Sequence, residues 1–304
     1  MAKNKVTLKD LAEICGVSIA TVSYVLNDVR NEHISHETRV RIMETARKLN
    51  YIPCKSRAST HIRTNNIGIM LHLDSNDSYS KKCICHDLAM ELQKYLLLSG
   101  YHATISTLTK ELGERAYLPK ASIDAAFIVD TDSRAVHKLT QKYYVPLIFL
   151  NCEINDPLFY RIYPNYSVIL SQARRMLGEE PQYLVMDHIQ NEELTNLICK
   201  NFDPESVFFN DDTRNLPAFL SKMRHKKGVI IGDILGLSAE RYLSNEDFVV
   251  ISYFKGNRLL LPETKTICIS NHTIANSAVN LLDRLFESEY NICPDNKLIL
   301  NPDS

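Results

Sequence analysis

Cys83-Ile84-Cys85-His86 is a short cluster whose residue types could ligate a metal. Structural zinc sites take four such ligands in closely spaced pairs, and no second Cys/His pair of suitable spacing follows. Solvent-facing or half-buried thiols at a helix start are therefore expected, with no metal. Asp211-Asp212 could pair carboxylates for acid–base work, but the pair adjoins Asn210 at the end of an apolar run, where a solvated loop is expected. His86, His102, His137, His188, His225 and His272 are isolated from one another in the sequence, so each reads as a surface or packed histidine. The chain has no phosphate-cradling glycine loop, no G-x-S-x-G and no H-E-x-x-H. No cofactor and no enzymatic activity are expected.

A second group of side chains suits a different chemistry. Ser18, Thr21 and Ser23 are small hydroxyls, which grip phosphate, and Ile19, Ala20 and Tyr24 lie among them. The elements that would hold them are legible. Thr7 can cap a helix and Asp10 can reach back to it, after which Leu8, Leu11, Ala12 and Cys15 recur at helical spacing. Gly16-Val17-Ser18 makes a turn and a second cap. In the next helix Val22, Val25 and Leu26 face inward. Ser35 caps a third helix with the stripe Val40, Ile42, Met43, Ala46 and Leu49. Three short helices around one small core, with a tight turn between the first two, describe a helix-turn-helix unit. An apolar core explains Leu11, Val22 and Leu49 but not the hydroxyl set.

Charge points the same way. Net charge is −1 over 304 residues, yet residues 1–65 carry eleven Lys/Arg against six Asp/Glu, and the remainder 24 against 30. A head of +5 on a body of −6 implies a polyanion partner at one end. With 45 % hydrophobic and 23 % charged residues the chain is an ordinary globular one. The eight cysteines are spread along the length, so reduced thiols are expected. No apolar run is long enough for a membrane helix, and Met1-Ala2-Lys3-Asn4-Lys5 lacks the apolar core of a signal peptide. A cytoplasmic protein without a membrane partner is expected.

Thr7-Leu8-Lys9-Asp10-Leu11-Ala12-Glu13, Gly16-Val17-Ser18, Ala20-Thr21-Val22-Ser23, Val25-Leu26-Asn27, Thr38-Arg39 and Leu49-Asn50-Tyr51-Ile52-Pro53 resemble, in order and spacing, the headpiece of the lac-repressor (LacI/GalR) family of transcription regulators. The resemblance implies that the second helix enters the major groove of double-stranded operator DNA. Ile19, Ala20 and Tyr24 would meet base edges. Thr7, Ser18, Thr21, Ser23 and Asn27 would contact phosphates or neighbouring bases, and Leu8, His33, Tyr51 and Arg57 complete the DNA-facing set. Tyr24 departs from the family, which often has arginine there, so a guanine preference at that base pair is not implied. His33 falls in a loop two residues longer than usual. The family's hinge helix pushes a leucine into the minor groove. Here Thr60 stands at that position, so either Ile62 substitutes or residues 54–65 form only a basic linker carrying Arg57 and Arg63.

From Ile67 onward, short apolar runs alternate with helical stretches: strands near 67–73, 102–107, 125–129, 146–150, 183–187, 207–210, 228–232, 248–252, 265–269 and 297–300, and helices near 81–98, 133–142, 166–177, 191–200 and 216–224. This alternation means α/β architecture with parallel sheets, and the strand number implies two subdomains. Ile123-Asp124-Ala125-Ala126-Phe127-Ile128, Pro146-Leu147-Ile148 and Leu281-Leu282-Asp283-Arg284-Leu285 resemble the family's effector body, of periplasmic-binding-protein type I fold. The chain would then cross between subdomains near Pro164, Ser270 and Cys293. The expected division is a helix-turn-helix headpiece over 1–53, a hinge over 54–65 and an effector and dimerisation body over 66–304. A homodimeric repressor on a near-palindromic operator is expected, with 81–98 as its interface. The alternatives are control by a protein partner and, more remotely, an enzyme with a DNA-binding head.

The effector expectation is largely negative. Where sugar-binding relatives carry carboxylates after Gly-Tyr or Gly-Phe, this chain has Ser252-Tyr253-Phe254-Lys255. Their Asn-Asp pair becomes Gly232-Asp233, and the arginine region reads Gly178-Glu179-Glu180-Pro181-Gln182. No tight binding of neutral hexoses or pentoses is expected; an effector of another kind would meet Asp233, Tyr253 and Lys255, with Lys255 favouring an anion if it points inward and otherwise standing as a solvated loop lysine.

Overall fold

The computed structural model describes residues 6–26, 34–49, 51, 64–109, 123–132, 135–136, 139, 145–156, 159–211, 214–256, 259–287 and 296–303. The head holds α1 (Leu8–Cys15), α2 (Ile19–Leu26) and α3 (His36–Lys48). Leu11, Ala12, Cys15, Val22, Val25, Leu26, Ile42 and Ala46 are buried together, with Leu8, Val17, Leu49 and Tyr51 packed around them. Each helix contributes only the inward stripe seen in the sequence. So small a core leaves the rest of each helix in solvent.

The body is two parallel sheets. The first runs β11-β5-β4-β3-β1-β2 and the second β10-β9-β8-β6-β7. The first lobe contains β1 (Asn66–His72), α4 (Tyr79–Leu98), β2 (His102–Leu108), β3 (Ala125–Val129), β4 (Leu147–Leu150) and β5 (Tyr160–Pro164). The second contains α5 (Tyr166–Leu177), β6 (Tyr183–Asp187), α6 (Glu192–Cys199), β7 (Val207–Asn210), α7 (Leu216–Lys222), β8 (Gly228–Ile231), α8 (Asp233–Ala239), β9 (Phe248–Ser252) and β10 (Lys265–Cys268). The chain then returns through α9 (Asn271–Glu287), which packs on α4, to β11 (Lys297–Leu300) beside β5. Central strands such as β3 and β9 are buried at every position. That is why they read as continuous apolar runs: helices cover both faces of a parallel sheet.

Some expectations change. β4 starts one residue after Pro146, which has no N–H to give to the ladder. β8 ends before Gly232, whose φ of 116° leaves the strand conformation. β5 was not expected. Its Arg161 interrupts the apolar pattern, yet the guanidinium is nearly buried against Glu153 at 3.1 Å. The crossings near Pro164 and Ser270 lie where β5 passes to α5 and β10 passes to α9. The third is corrected. β11 still belongs to the first sheet, and the passage comes at 301–303, where Asp303 N donates to Cys268 O at 2.8 Å. Cys293 and most of the expected helix at 133–142 lie outside the described residues.

Gly228 opens β8 against the ring of Tyr183. A Cβ there would lie 2.1–2.3 Å from three ring atoms, and the ring is fully buried. Gly228→Ala should therefore destabilise the body by about 1–3 kcal/mol, the usual cost of overpacking, seen as a lower urea midpoint at unchanged slope.

Candidate nucleic-acid interface and interlobe cleft

α1 begins with a reciprocal cap. Thr7 Oγ1 accepts from Asp10 N at 3.3 Å, and Asp10 Oδ2 accepts from Thr7 N at 2.8 Å. These bonds hold the Asp10 carboxyl below its ordinary value. Gly16 ends the helix in the left-handed region at φ 62°, which a side chain would strain. Ser18 Oγ then accepts from Thr21 N at 3.0 Å and shares a 2.9 Å bond with Thr21 Oγ1. Two of the hydroxyls expected to grip phosphate thus also cap α2.

The turn places Ser18, Ile19 and Ala20 in solvent at the N-terminus of α2, with Thr21, Ser23 and Tyr24 half-buried beside them. Ile19 keeps 48 % of its surface exposed. Its neighbours Val22, Val25 and Leu26 point into the core, so the exposed isoleucine lies on the face that does not support the fold. Thr7 is exposed, whereas Leu8 and Tyr51 pack partly against the head core. Asn27, His33, Arg57, Thr60 and Ile62 lie outside the described residues.

The second site lies between the lobes, where β3 and β6 end. Ligand crevices in open parallel sheets form outside the carboxyl ends of the strands. Asp130 follows β3 and Asp187 closes β6. Lys81, in the first turn of α4, is 4 % exposed and lies 3.0 Å from Asp77 Oδ1 and 2.7 Å from Asp130 Oδ2. Burial alone would depress the Lys81 ammonium, but Asp130 and Asp77 outweigh it and raise its pKa above the ordinary value. Asp130 Oδ1 faces the other lobe and accepts from Gln190 N at 2.8 Å and Asn191 N at 3.4 Å. Further bonds cross the cleft among the described residues: Ser78 Oγ to Asp187 Oδ1 at 2.6 Å, Gln190 Nε2 to Asp74 Oδ2 at 3.0 Å, Asn191 Nδ2 to Thr131 O at 3.1 Å, and Glu153 N to Asn191 Oδ1 at 2.9 Å.

These residues surround a cavity of about 60 Å³, lined by Lys81, Asp130, Asn151 and Asp187 together with aliphatic side chains and the rings of Tyr166 and Tyr253. The two tyrosine hydroxyls share a 2.8 Å hydrogen bond. Of the three effector contacts expected from the sequence, Tyr253 alone lines this cavity. Asp233 is fully buried, and its carboxylate accepts from Ser252 Oγ at 2.6 Å and Tyr253 N at 2.9 Å, securing the end of β9. Lys255 is exposed and does not line the cavity, standing where a solvated loop lysine would. Lys81, Asp130, Asn151, Tyr166 and Asp187 were missed. A polar residue directly after an apolar strand was the available signal for Asp130 and Asp187.

Cys85 is buried, and that burial pushes its thiol up to about 12. Among the described residues no group of three or more His, Cys, Asp or Glu could hold a metal ion. Asp211 lies 3.7 Å from Arg214 at the surface, and Asp212 lies outside the described residues. No described helix is long and apolar enough to cross a membrane.

The architecture is a helix-turn-helix head on a two-lobed body of parallel α/β sheets. Residues 7–54 match the family described as "Bacterial regulatory proteins, lacI family". The chain is 31 % identical over 149 residues to catabolite control protein A of Staphylococcus xylosus, covering 47 % of this chain and 43 % of the relative. It is 32 % identical, also over 149 residues, to the ribose operon repressor of Bacillus subtilis (strain 168), covering 48 % and 43 %. The chain thus spans about half the length or less of these curated relatives. Among solved structures, the transcriptional regulator CelR–cellobiose complex aligns with a TM-score of 0.59 at 16 % identity, covering 98 % of both chains. The lac repressor dimer bound to operator and the anti-inducer ONPF aligns with a TM-score of 0.56 at 18 % identity, covering 99 % of this chain and 97 % of that one. At these identities the structural likeness establishes the fold.

Proposed function

We propose that this chain is a transcription regulator, a repressor, that reads a near-palindromic operator as a homodimer and answers to a small molecule in its interlobe cleft. The observation that carries it is the start of α2. Ile19 and Ala20 stand in solvent between capped hydroxyls, on a head matching a DNA-binding family. Hydroxyls and a helix N-terminus position the phosphates, and the exposed side chains read bases. Thr7, Ser18, Thr21, Ser23 and Asn27 serve as backbone contacts, and Ile19, Ala20 and Tyr24 as base contacts. Leu8, Tyr51, His33 and Arg57 flank them. The headpiece occupies 1–53, the linker 54–65 and the body 66–304, and the protein works in the cytoplasm. Selecting duplexes from a random library with the full chain tests this. Enrichment of an inverted repeat that outcompetes random DNA is expected; no enrichment would remove the reading.

The dimer follows from the outer face of α4. Tyr79, Met90 and Leu97 are 74, 60 and 67 % exposed at spacings that put them on one side of the helix. Ile105 lies on β2, the strand at the neighbouring sheet edge. A single head covers a half-site, so a second copy of this chain is the occupant that operator binding calls for. Light scattering should give twice the chain mass at micromolar concentration. The double substitution Met90→Glu with Leu97→Glu should give monomers, since both side chains are outside the core. A variant that stays dimeric would place the interface elsewhere.

A further inference from the structure

We propose that Cys83 and His86 form half of a zinc site that the same two residues of a second copy complete; this rests on the reading of the outer face of α4 as the dimer interface. Cys83-Ile84-Cys85-His86 has no closely spaced second pair within the chain, and among the described residues no three ligands gather in one chain. The helix shows how the motif divides. Cys85 faces inward and is buried, whereas Cys83 is a half-buried free thiol and His86 is exposed. Residues three apart on a helix are neighbours on its surface. Cys83 and His86 therefore stand side by side on the stripe that carries Tyr79, Met90 and Leu97.

The imidazole is set for a metal. His86 Nδ1 and the carbonyl oxygen of Lys82 lie 2.7 Å apart. A carbonyl only accepts, so Nδ1 carries the proton and donates, and in the neutral ring Nε2 keeps its lone pair. Metal-bound histidines are held in this way, by a carbonyl or carboxylate on the other nitrogen. The thiol is placed as well. A hydrogen bond with Cys83 raises the Tyr79 hydroxyl above its ordinary value, so the sulfur lies on the outer side, beside an exposed ring.

Symmetry supplies the other half. A two-fold interface is self-complementary: where one residue meets a second, the second meets the first. Tyr79 and Met90 flank the pair evenly, four residues before Cys83 and four after His86. An axis crossing α4 between Cys83 and His86 sets Tyr79 against the partner's Met90 and Cys83 against the partner's His86. Two thiolates and two imidazoles then gather about the axis, a donor set that suits tetrahedral zinc. Binding releases the two thiol protons. The two thiolates balance the charge of Zn²⁺, so no net charge is buried between apolar neighbours.

Calorimetry with zinc chloride tests the proposal on the untagged full chain, stripped with a chelator and kept reduced with a phosphine. One zinc per two chains should bind. Cobalt in its place should show the intense visible absorption of a tetrahedral site and a thiolate charge-transfer band. Cys83→Ser and His86→Ala each delete two of the four ligands, so each should weaken zinc binding beyond the roughly 10–100-fold that losing a supporting partner costs. Neither side chain belongs to the core, and circular dichroism should show the parent fold. One zinc per chain, binding that survives either substitution, or no binding overturns the proposal. Light scattering in chelator and in zinc separates the two readings. A dimer in both that takes no zinc removes the metal site alone. A monomer in both removes the dimer, and the site with it. A dimer that takes one zinc, or forms only with it, supports the two together.

Discussion

Lys81→Met should lower the stability of the body by about 3–5 kcal/mol, the usual cost of removing one partner from a buried ion pair. Asp77 and Asp130 would be left at 5 and 3 % exposure with no cation between them. For a body of this size that is a fall of roughly 10 °C in Tm, measurable by differential scanning calorimetry. Adding Asp77→Asn to Lys81→Met should recover part of the loss, because one of the stranded charges is then gone. A Tm within 2 °C of the parent would show that the cluster does not hold the lobe. The pH dependence has a definite sign. The Lys81 pKa is raised in the fold, so its contribution is complete below the ordinary lysine value and lost only as pH climbs through the raised one. Across the neutral range this contribution stays constant.

The largest effect on DNA binding is expected from Ala20→Glu. Ala20 is exposed in the first turn of α2, where a carboxylate is compatible with the helix dipole, so the far-ultraviolet circular dichroism should not change. Against a duplex the same carboxylate meets phosphates and base edges, and specific binding should fall by about 10³-fold or more, the lower end of the gap between specific and non-specific affinity. Gel shifts on the selected operator at fixed salt check this. Binding within tenfold of the parent would mean that another surface reads the DNA.

The head was legible in the sequence because nearly every position there answers a local demand. Thr7 and Asp10 make a cap, Gly16 takes the left-handed turn, and Leu11, Val22 and Ile42 fill one small core. The alternation of strands and helices was legible for a similar reason, since strands buried on both faces have no polar side. β5 was not, because Arg161 is neutralised by Glu153, a partner that depends on how the chain folds back. The cleft was least legible. Asp130 and Asp187 each read as the polar end of a strand, and only the approach of two lobes brings Lys81, Gln190 and Ser78 to them. Which of its two readings Lys255 takes was not legible either: the direction of a loop side chain is set by the turn that carries it, and that turn leaves it in solvent.

The bonds across the cleft also give the molecule a built-in clock. The backbone N–H groups of Gln190 and Asn191 belong to one lobe and find their acceptor, the Asp130 carboxylate, on the other. Their protons can exchange with solvent deuterium only when the lobes part, whereas amides inside each sheet wait for the sheet itself to open. The exchange rate at these two positions therefore reads the frequency of lobe separation without any ligand. Its slowing on addition of a compound would rank candidate effectors by how firmly each keeps the lobes together.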